Sequence, residues 1–164
     1  MRLHIVAILL LVTASMACQE EKPQQIKKAM IGKPIPDFTI QLLNGTSYLH
    51  SAAFPADKNI VLFIFKPTCP YCRAQMRDMV NNMEKFKNEQ LYVLTNADLQ
   101  SANAFADYFK LKQLKNVIVG RDTGSVVLNT YRLIGLPFTA YYDKNKQLKT
   151  AYMGRMGPDL LSQF

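Results

Sequence analysis

The sequence predicts one α/β domain with a central mixed β-sheet flanked by helices, and three observations lead to that fold class. Residues 60–65 form an unbroken apolar run, which is typical of a central strand covered on both faces. Predicted strands and helices then alternate up to residue 134, as they do when helices connect parallel strands. A predicted hairpin and a last helix follow, so the sheet should also contain antiparallel strands.

The remaining elements follow from periodicity and turn residues. Asn44-Gly45 and the polar residues 143–146 are typical of tight turns between two strands. Between residues 70 and 86, apolar side chains recur at helical spacing, with charged residues on the other side. The predicted strands are 38–43, 60–65, 91–94, 117–119, 138–142 and 147–153, and the predicted helices are 70–86, 99–109, 126–134 and one that begins at Pro158.

Residues 1–17 are expected to be a signal peptide that is removed on export. Arg2 gives the chain a positive start, and residues 5–12 form a short apolar stretch. That stretch is far below the about 20 apolar residues that span a bilayer. The segment therefore predicts a protein on the outer, periplasmic side of the cell envelope, where disulfides persist.

Cys18 is the expected lipid attachment site. Residues 13–18 resemble the lipobox of bacterial lipoproteins, which would anchor the protein to a membrane and allow surface exposure. Cleavage at the same bond without lipidation is the alternative. Residues 18–30 are then predicted to form the lipidated N-terminus and a flexible polar tether, and residues 31–164 the folded domain.

The motif Thr68-Cys69-Pro70-Tyr71-Cys72 stands where the buried strand ends and a helix begins. Pro70 suits the first position of a helix, where no backbone N–H is needed. This places Cys69 at the helix N-terminus, where free amides and the helix dipole favour a thiolate. The motif therefore predicts thiol–disulfide exchange, with Cys69 as the attacking thiolate and Cys72 as the more buried, resolving thiol.

The neighbours of the motif support this interpretation. Lys66 and Arg73 add positive potential beside the first sulfur. The alternative is a static disulfide, but a loop this short would contribute little to stability by chain entropy. No cofactor is expected beyond the redox-active Cys69–Cys72 pair.

Charge and histidine content argue against two other classes of function. The chain carries 20 Lys and Arg against 12 Asp and Glu, but they are scattered, so no nucleic-acid partner is expected. Anionic lipids or acidic proteins could be attracted. His50 is the sole histidine after residue 17, so a zinc site is not expected. A module that binds Cu(I) through both thiolates remains an alternative.

Three blocks of the sequence, residues 31–40, 63–76 and 131–143, resemble the TlpA/ResA-like and redoxin-type extracytoplasmic thioredoxins. The resemblance implies a thioredoxin fold with an N-terminal β extension. It also implies that Pro137 is the cis proline beside the active site and that Leu136 offers backbone atoms to a substrate strand. An ordinary trans proline at the start of an edge strand is the alternative for Pro137.

The sequence departs from this family in two positions. Gln75 stands where the TlpA/ResA-like reductases usually have a glutamate, and Phe63 stands where thioredoxins keep an aspartate. Neither carboxylate is therefore available to handle the proton of Cys72. The dipeptide Pro70-Tyr71 resembles that of glutaredoxins, which lie toward the oxidising side. The direction of electron flow is left open by these residues.

The leading hypothesis is a reductase of disulfides in exported proteins, expected to be monomeric and recharged by an electron donor in the membrane. One alternative is a disulfide-donating oxidase of the DsbA type. Another is a thiol peroxidase, but Leu62 and Lys66 occupy the positions where peroxiredoxins have proline and threonine. The sequence therefore predicts an enzyme, a thiol–disulfide oxidoreductase.

Overall fold

The computed structural model describes residues 22–161, so the predicted signal peptide and Cys18 lie outside the described residues. Within this range no helix is long and apolar enough to cross a membrane. The strands are β1 (Gln24–Gln25), β2 (Thr39–Leu42), β3 (Tyr48–His50), β4 (Asn59–Ile64), β5 (Glu89–Thr95), β6 (Val117–Asp122), β7 (Phe138–Tyr142) and β8 (Leu148–Met153). The α-helices are α1 (Pro70–Asn81), α2 (Leu99–Tyr108), α3 (Val126–Tyr131) and α4 (Pro158–Leu161).

All of these strands belong to one mixed sheet, in the order β1-β8-β7-β4-β5-β6-β2-β3. β4, β5 and β6 are parallel neighbours, whereas β7 runs antiparallel to β4 on the other side. The hairpin of β2 and β3 extends the sheet beyond β6. The predicted fold class, a central mixed sheet with an N-terminal β extension, is confirmed.

The central strand β4 is buried on both faces, as its apolar run predicts. Val61 and Phe63 pack into the core beneath α1 and α2. Leu62 and Ile64 point to the opposite face, which is covered by α3. Alternation along a strand sends successive side chains to opposite faces, so β4 joins two hydrophobic layers.

Two elements end earlier than their periodicity predicts. The helix predicted for residues 70–86 ends at Asn81, and the side-chain amide of the next residue, Asn82, donates to the Asp78 carbonyl at 2.8 Å. A 3-10 helix, Met83–Phe86, continues in its place. The helix predicted through Ile134 ends at Tyr131, and the next residue, Arg132, adopts the left-handed conformation with φ of 50°.

The tether predicted for residues 18–30 needs correction in its described part. β1 pairs with β8 through Gln24 and Gln25, and the Ile26 N–H donates to the Ala151 carbonyl at 3.0 Å. A 3-10 helix, Lys28–Met30, follows. The pairing uses backbone groups while both glutamine side chains stay exposed, so the polar sequence carries no hydrophobic signal of a strand.

Candidate active site

The junction between β4 and α1 places Cys69 at the start of the helix. The Cys69 N–H closes a turn on the Lys66 carbonyl at 3.0 Å, and Pro70 is the first residue of α1. Cys69 has extended backbone angles and stands directly before the first helical residue, which makes it the N-cap of α1. Its Sγ accepts a hydrogen bond from the Cys72 N–H at 3.2 Å. This hydrogen bond holds the Cys69 sulfur at the N-terminal end of α1.

The two cysteines differ in their surroundings, and both are free thiols in this structure. Cys69 is partly exposed, whereas Cys72 is fully buried one turn further along α1. Burial raises the pKa of the Cys72 thiol well above its ordinary value, and its hydrogen bond with Cys69 raises it further. Cys72 therefore holds its proton while Cys69 faces solvent.

The loop before β7 meets Cys69 from the other side. The Leu136–Pro137 peptide bond is cis, the conformation that the resemblance implies. β7 pairs with β4, with Phe138 opposite Ile64, so the start of β7 lies beside the end of β4. The Cys69 thiol lies 3.8 Å from the Leu136 carbonyl oxygen, within hydrogen-bonding distance for sulfur. Pro137 and Cys69 thus belong to one site.

The backbone of Leu136 has a free donor. In the part of the chain that the structure describes, the Leu136 N–H makes no hydrogen bond, whereas the next carbonyl, of Pro137, accepts from the Gly154 N–H at 2.7 Å. An unpaired N–H at an accessible loop can pair with an incoming extended chain. The structure thus leaves an unpaired backbone N–H in the loop beside Cys69.

The predicted supporting residues surround Cys69 at the surface. Thr68 and Pro70 are exposed, and Tyr71 is 59% exposed. Lys66 is also exposed and lines, with Cys69, a cavity of about 370 Å³. These residues are therefore accessible to a partner, but the structure shows no contact that assigns a chemical role to any of them.

Arg73 has a structural contact that the sequence did not indicate. Its guanidinium lies 4.3 Å from the ring centroid of Tyr108 on α2. It also donates to the Pro67 carbonyl at 3.5 Å. Arg77, and after it Arg73, lowers the pKa of the exposed Tyr108 hydroxyl through hydrogen bonding and positive charge. Arg73 thus connects the turn before Cys69 to the second helix.

Gln75 is fully buried within α1 and is connected to the segment after β8. Its Oε1 accepts a hydrogen bond from the Met156 N–H at 2.5 Å. Its Nε2 has no partner among the described residues. The neighbouring Arg155 forms an ion pair with Asp78 of α1 at 2.8 Å. An uncharged amide therefore occupies the position where the resemblance would place a carboxylate.

The structure does not bring His50 to the cysteines. His50 ends β3, which is four strands away from β4, or about 19 Å at the usual strand spacing. Its Nε2 lies 3.0 Å from Asp37. Among residues 22–161, no group of three or more His, Cys, Asp or Glu side chains could hold a metal ion.

Sequence reasoning missed Ile134 as a surface residue. Its spacing after Tyr131 suggested the buried face of a helix, but the helix has already ended and Ile134 is 90% exposed. It stands in the loop that leads to Leu136 and Pro137. No signal in its immediate sequence identified it as a surface residue.

Comparison with known proteins agrees with this arrangement. Residues 31–159 match the model of the AhpC/TSA family. A secreted disulfide oxidoreductase from Mycobacterium tuberculosis, homologous to E. coli DsbE, superposes with a TM-score of 0.64 and 21% identity, over 77% of this chain and 92% of that one. An exposed lipoprotein thioredoxin from Streptococcus pneumoniae gives 0.58 and 20%, over 79% and 100%.

A 2-Cys peroxiredoxin from Plasmodium vivax also superposes, with a TM-score of 0.60 and 13% identity, over 80% of this chain and 92% of that one. At these identities the structural likeness shows the shared fold. The family match, by contrast, covers most of the chain. The protein therefore belongs to the AhpC/TSA family and is an oxidoreductase with the thioredoxin fold.

Proposed function

We propose that this protein is an extracytoplasmic thiol–disulfide oxidoreductase that reduces disulfides in exported proteins. The observation that carries the proposal is the asymmetric pair at the start of α1. Cys69 is accessible and accepts a backbone N–H, whereas Cys72 is buried behind it and protonated. An accessible nucleophile backed by a resolving thiol is the arrangement that thiol–disulfide exchange requires.

The reaction has two exchange steps. In the first, the Cys69 thiolate attacks one sulfur of a substrate disulfide, which breaks that bond, forms a mixed disulfide and releases the other substrate sulfur as a thiolate. In the second, Cys72 transfers its proton to the released thiolate and attacks the Cys69 sulfur, which frees the second substrate sulfur as a thiolate that takes a proton from water. Two electrons and one proton pass from the protein to the substrate, the second proton comes from solvent, and a Cys69–Cys72 disulfide remains.

The loop of Leu136 and Pro137 would hold the substrate for the first step. A backbone carbonyl of an extended polypeptide could accept a hydrogen bond from the free Leu136 N–H while the substrate disulfide lies against Cys69. Both contacts can form together because the Leu136 carbonyl oxygen lies 3.8 Å from the Cys69 sulfur. Backbone pairing of this kind supports affinity without demanding one sequence. It therefore suits an enzyme that acts on several exported proteins.

The partners and location of the protein are part of the same proposal. The sequence of residues 1–18 supports export and lipidation at Cys18, and two of the structural relatives are described as secreted or as an exposed lipoprotein. A reductase in an oxidising compartment needs an outside source of electrons. A dithiol donor in the membrane would return two electrons to the Cys69–Cys72 disulfide. The protein is expected to act as a monomer.

The direction of electron flow is tested by the reduction potential of the Cys69–Cys72 pair, measured by equilibration with thiol buffers. We expect a reduction potential close to that of thioredoxin, which is about −270 mV. A value near the about −120 mV of DsbA would show instead that the protein donates disulfides. In that case Pro70-Tyr71 would be the feature that sets the potential.

The assignment of the two thiols is tested with Cys69→Ser and Cys72→Ser and a disulfide-bonded protein substrate. Cys69→Ser should abolish exchange, because the nucleophile is lost. Cys72→Ser should still react once and accumulate a mixed disulfide, which is visible by non-reducing electrophoresis and mass spectrometry. Full activity in Cys69→Ser would refute the proposed function.

A thiol peroxidase is the second candidate, because the family match and the peroxiredoxin fold are compatible with it. Peroxidase chemistry needs groups that hold the peroxide beside the reactive cysteine. Leu62 is fully buried in β4, and Lys66 is an exposed cation, so neither replaces the expected proline and threonine. Rapid consumption of peroxide by Cys72→Ser would support the peroxidase in place of the reductase.

A further inference from the structure

The exposed Ile134 stands where three cavities meet. One cavity, of about 370 Å³, contains Cys69 and Lys66. A second, of about 350 Å³, contains Tyr71. A third, of about 460 Å³, lies farther from the cysteines, beside Lys27. Ile134 lines all three, so we call residues 133–136 the Ile134 ridge.

The ridge offers apolar surface close to the reactive sulfur. Ile134 is 90% exposed, and Tyr71 on the other side of the second cavity is 59% exposed. Leu136, at the end of the ridge, lines both cavities next to the motif. A polypeptide substrate whose disulfide reaches Cys69 would lie against this surface, and covering it would remove apolar area from water.

All charged residues that line the three cavities are basic. In residues 22–161, no Asp or Glu lines any of the three. Arg155 is already paired with Asp78, but the other four form no ion pair with a described residue. The five basic residues are Lys22, Lys27, Lys66, Arg132 and Arg155.

We propose that the Ile134 ridge selects its substrate, a cysteine-containing segment of an exported protein with a large apolar residue beside the cysteine and Asp or Glu around it. The inference rests on the proposed function and names the substrate class. The apolar residue would cover Ile134, and the acidic residues would face Lys22, Lys27, Lys66 and Arg132, the four cations that form no ion pair with a described residue. Complementary charge of this kind speeds encounter and discriminates between partners.

A polypeptide fits these observations better than an anionic membrane surface does. The cations line concave cavities instead of a flat face, and one of those cavities contains Cys69. The free Leu136 N–H also lies at the end of the ridge, where an extended chain can pair with it. These features place recognition and the exchange reaction on one surface.

The test measures how fast the purified, reduced protein reduces two model peptides. Each contains one intramolecular disulfide and one leucine beside a cysteine, and the flanking residues are Glu in one and Lys in the other. We expect the Glu peptide to react at least about tenfold faster at low ionic strength, as steering by complementary charge allows. The difference should shrink in about 0.5 M salt, because salt screens exposed charges.

Two charge variants locate the effect. Lys27→Glu with Arg132→Glu should remove most of the preference for the Glu peptide. The matched control, Lys58→Glu with Lys115→Glu, makes the same change in net charge at a cavity beside the start of β4, the end away from Cys69. It should keep the preference. Equal loss in both variants would show a general effect of net charge and would overturn the proposal.

Ile134→Ala tests the apolar part. It should slow both leucine peptides severalfold more than it slows the reduction of the small neutral substrate hydroxyethyl disulfide. Unchanged peptide rates would refute a role for Ile134. Failure of the wild-type protein to reduce hydroxyethyl disulfide would instead refute the proposed function, so the two failures are distinguishable.

An anionic membrane is the competing occupant of this surface. The wild-type protein and Lys27→Glu with Arg132→Glu are mixed with vesicles of phosphatidylglycerol, and sedimentation measures binding. If the wild type does not distinguish the two peptides but binds vesicles through these two residues, the basic surface is a membrane contact. That result would overturn the proposed selection of acidic substrates.

Discussion

Cys69 lies between two apolar regions that differ in their exposure to solvent. On the inner side, Cys72, Met76 and Phe105 are at most 2% exposed and point from the helices into the core. On the outer side, Ile134 and Tyr71 are 90% and 59% exposed. Residues of similar hydrophobicity therefore have different tasks. The inner set stabilises the fold that positions the sulfur, and the outer set is available to a partner.

The helical repeat of α1 explains how this division arises. Cys72, Met76 and Met79 recur on the face that packs against the sheet, one turn apart. Tyr71 lies on the other face, toward solvent. One short helix thus contributes to both regions, so substitutions in the two regions should have separable effects on stability and on exchange.

The largest difference between the regions is expected in stability. Phe105 packs against Phe65 with ring centroids 4.0 Å apart, and Phe105→Ala should lower the free energy of unfolding by about 3–5 kcal/mol. Ile134→Ala should change it by less than about 0.5 kcal/mol. Urea denaturation of both variants measures the contrast. Similar losses in the two variants would contradict the division into two regions.

A buried charge should destabilise the inner region in a pH-dependent way. Gln75→Glu can still accept from the Met156 N–H, but burial would raise the pKa of the new carboxyl above the about 4.3 of an unfolded chain. Because the folded-state pKa is raised, the free energy of unfolding of Gln75→Glu is highest below pH about 4.3 and falls as pH rises. We expect at least about 2 kcal/mol of extra destabilisation at pH 7.5 relative to pH 4.

Urea denaturation of Gln75→Glu and the wild type at both pH values checks this prediction. The matched control is Gln100→Glu, because Gln100 is exposed on α2 and its carboxylate would stay in water. It should change stability by less than about 0.5 kcal/mol at either pH. A Gln75→Glu variant without pH dependence would show that water reaches this position.

The smallest expected effect concerns the buried thiol itself. The pKa of Cys72 is raised in the folded state. Its contribution to the free energy of unfolding is therefore fully present below the pKa of an unfolded thiol, about 8.5, and is lost as pH rises above that value. The reduced protein should therefore lose about 1 kcal/mol between pH 7 and pH 9.5 from this group. The measurement is urea denaturation in excess reductant.

Cys72→Ala is the control for this effect, because it removes the titrating group and leaves Cys69 in place. Between pH 7 and pH 9.5, the wild type should lose about 1 kcal/mol more free energy of unfolding than the variant does. Measurements stop below pH 10, where unfolded tyrosines begin to titrate. Equal pH dependence in both proteins would contradict the burial of a protonated Cys72.

The inner region could be predicted from the sequence because burial leaves a periodic pattern. The apolar run of residues 60–65 identified the central strand, and the spacing of Cys72, Met76 and Met79 identified the inner face of α1. The position of Cys69 at a helix start followed from Pro70. These predictions depend on local propensity and hydrophobic periodicity, which each segment carries in its own residues.

The outer region could not be predicted in the same way. The spacing of Ile134 fitted a helix, and the left-handed conformation of Arg132 that ends α3 has no glycine to announce it. The pairing of β1 with β8 joins residues far apart in the chain through backbone groups alone. Both features are decided by tertiary contacts, which a pattern in one segment does not record.

β1 also determines where the chain enters the domain. Lys22 lines the same cavity as Tyr71. Pro23 lies so close to Gly154 that a side-chain Cβ added at Gly154 would be 3.3 Å from the Pro23 Cα. Four residue steps separate Lys22 from Cys18, which is at most about 14 Å of extended chain. If Cys18 carries the proposed lipid, the reactive sulfur would work close to the membrane surface. Its encounters with membrane partners would then be a search in two dimensions, governed by the number of molecules per unit area of membrane.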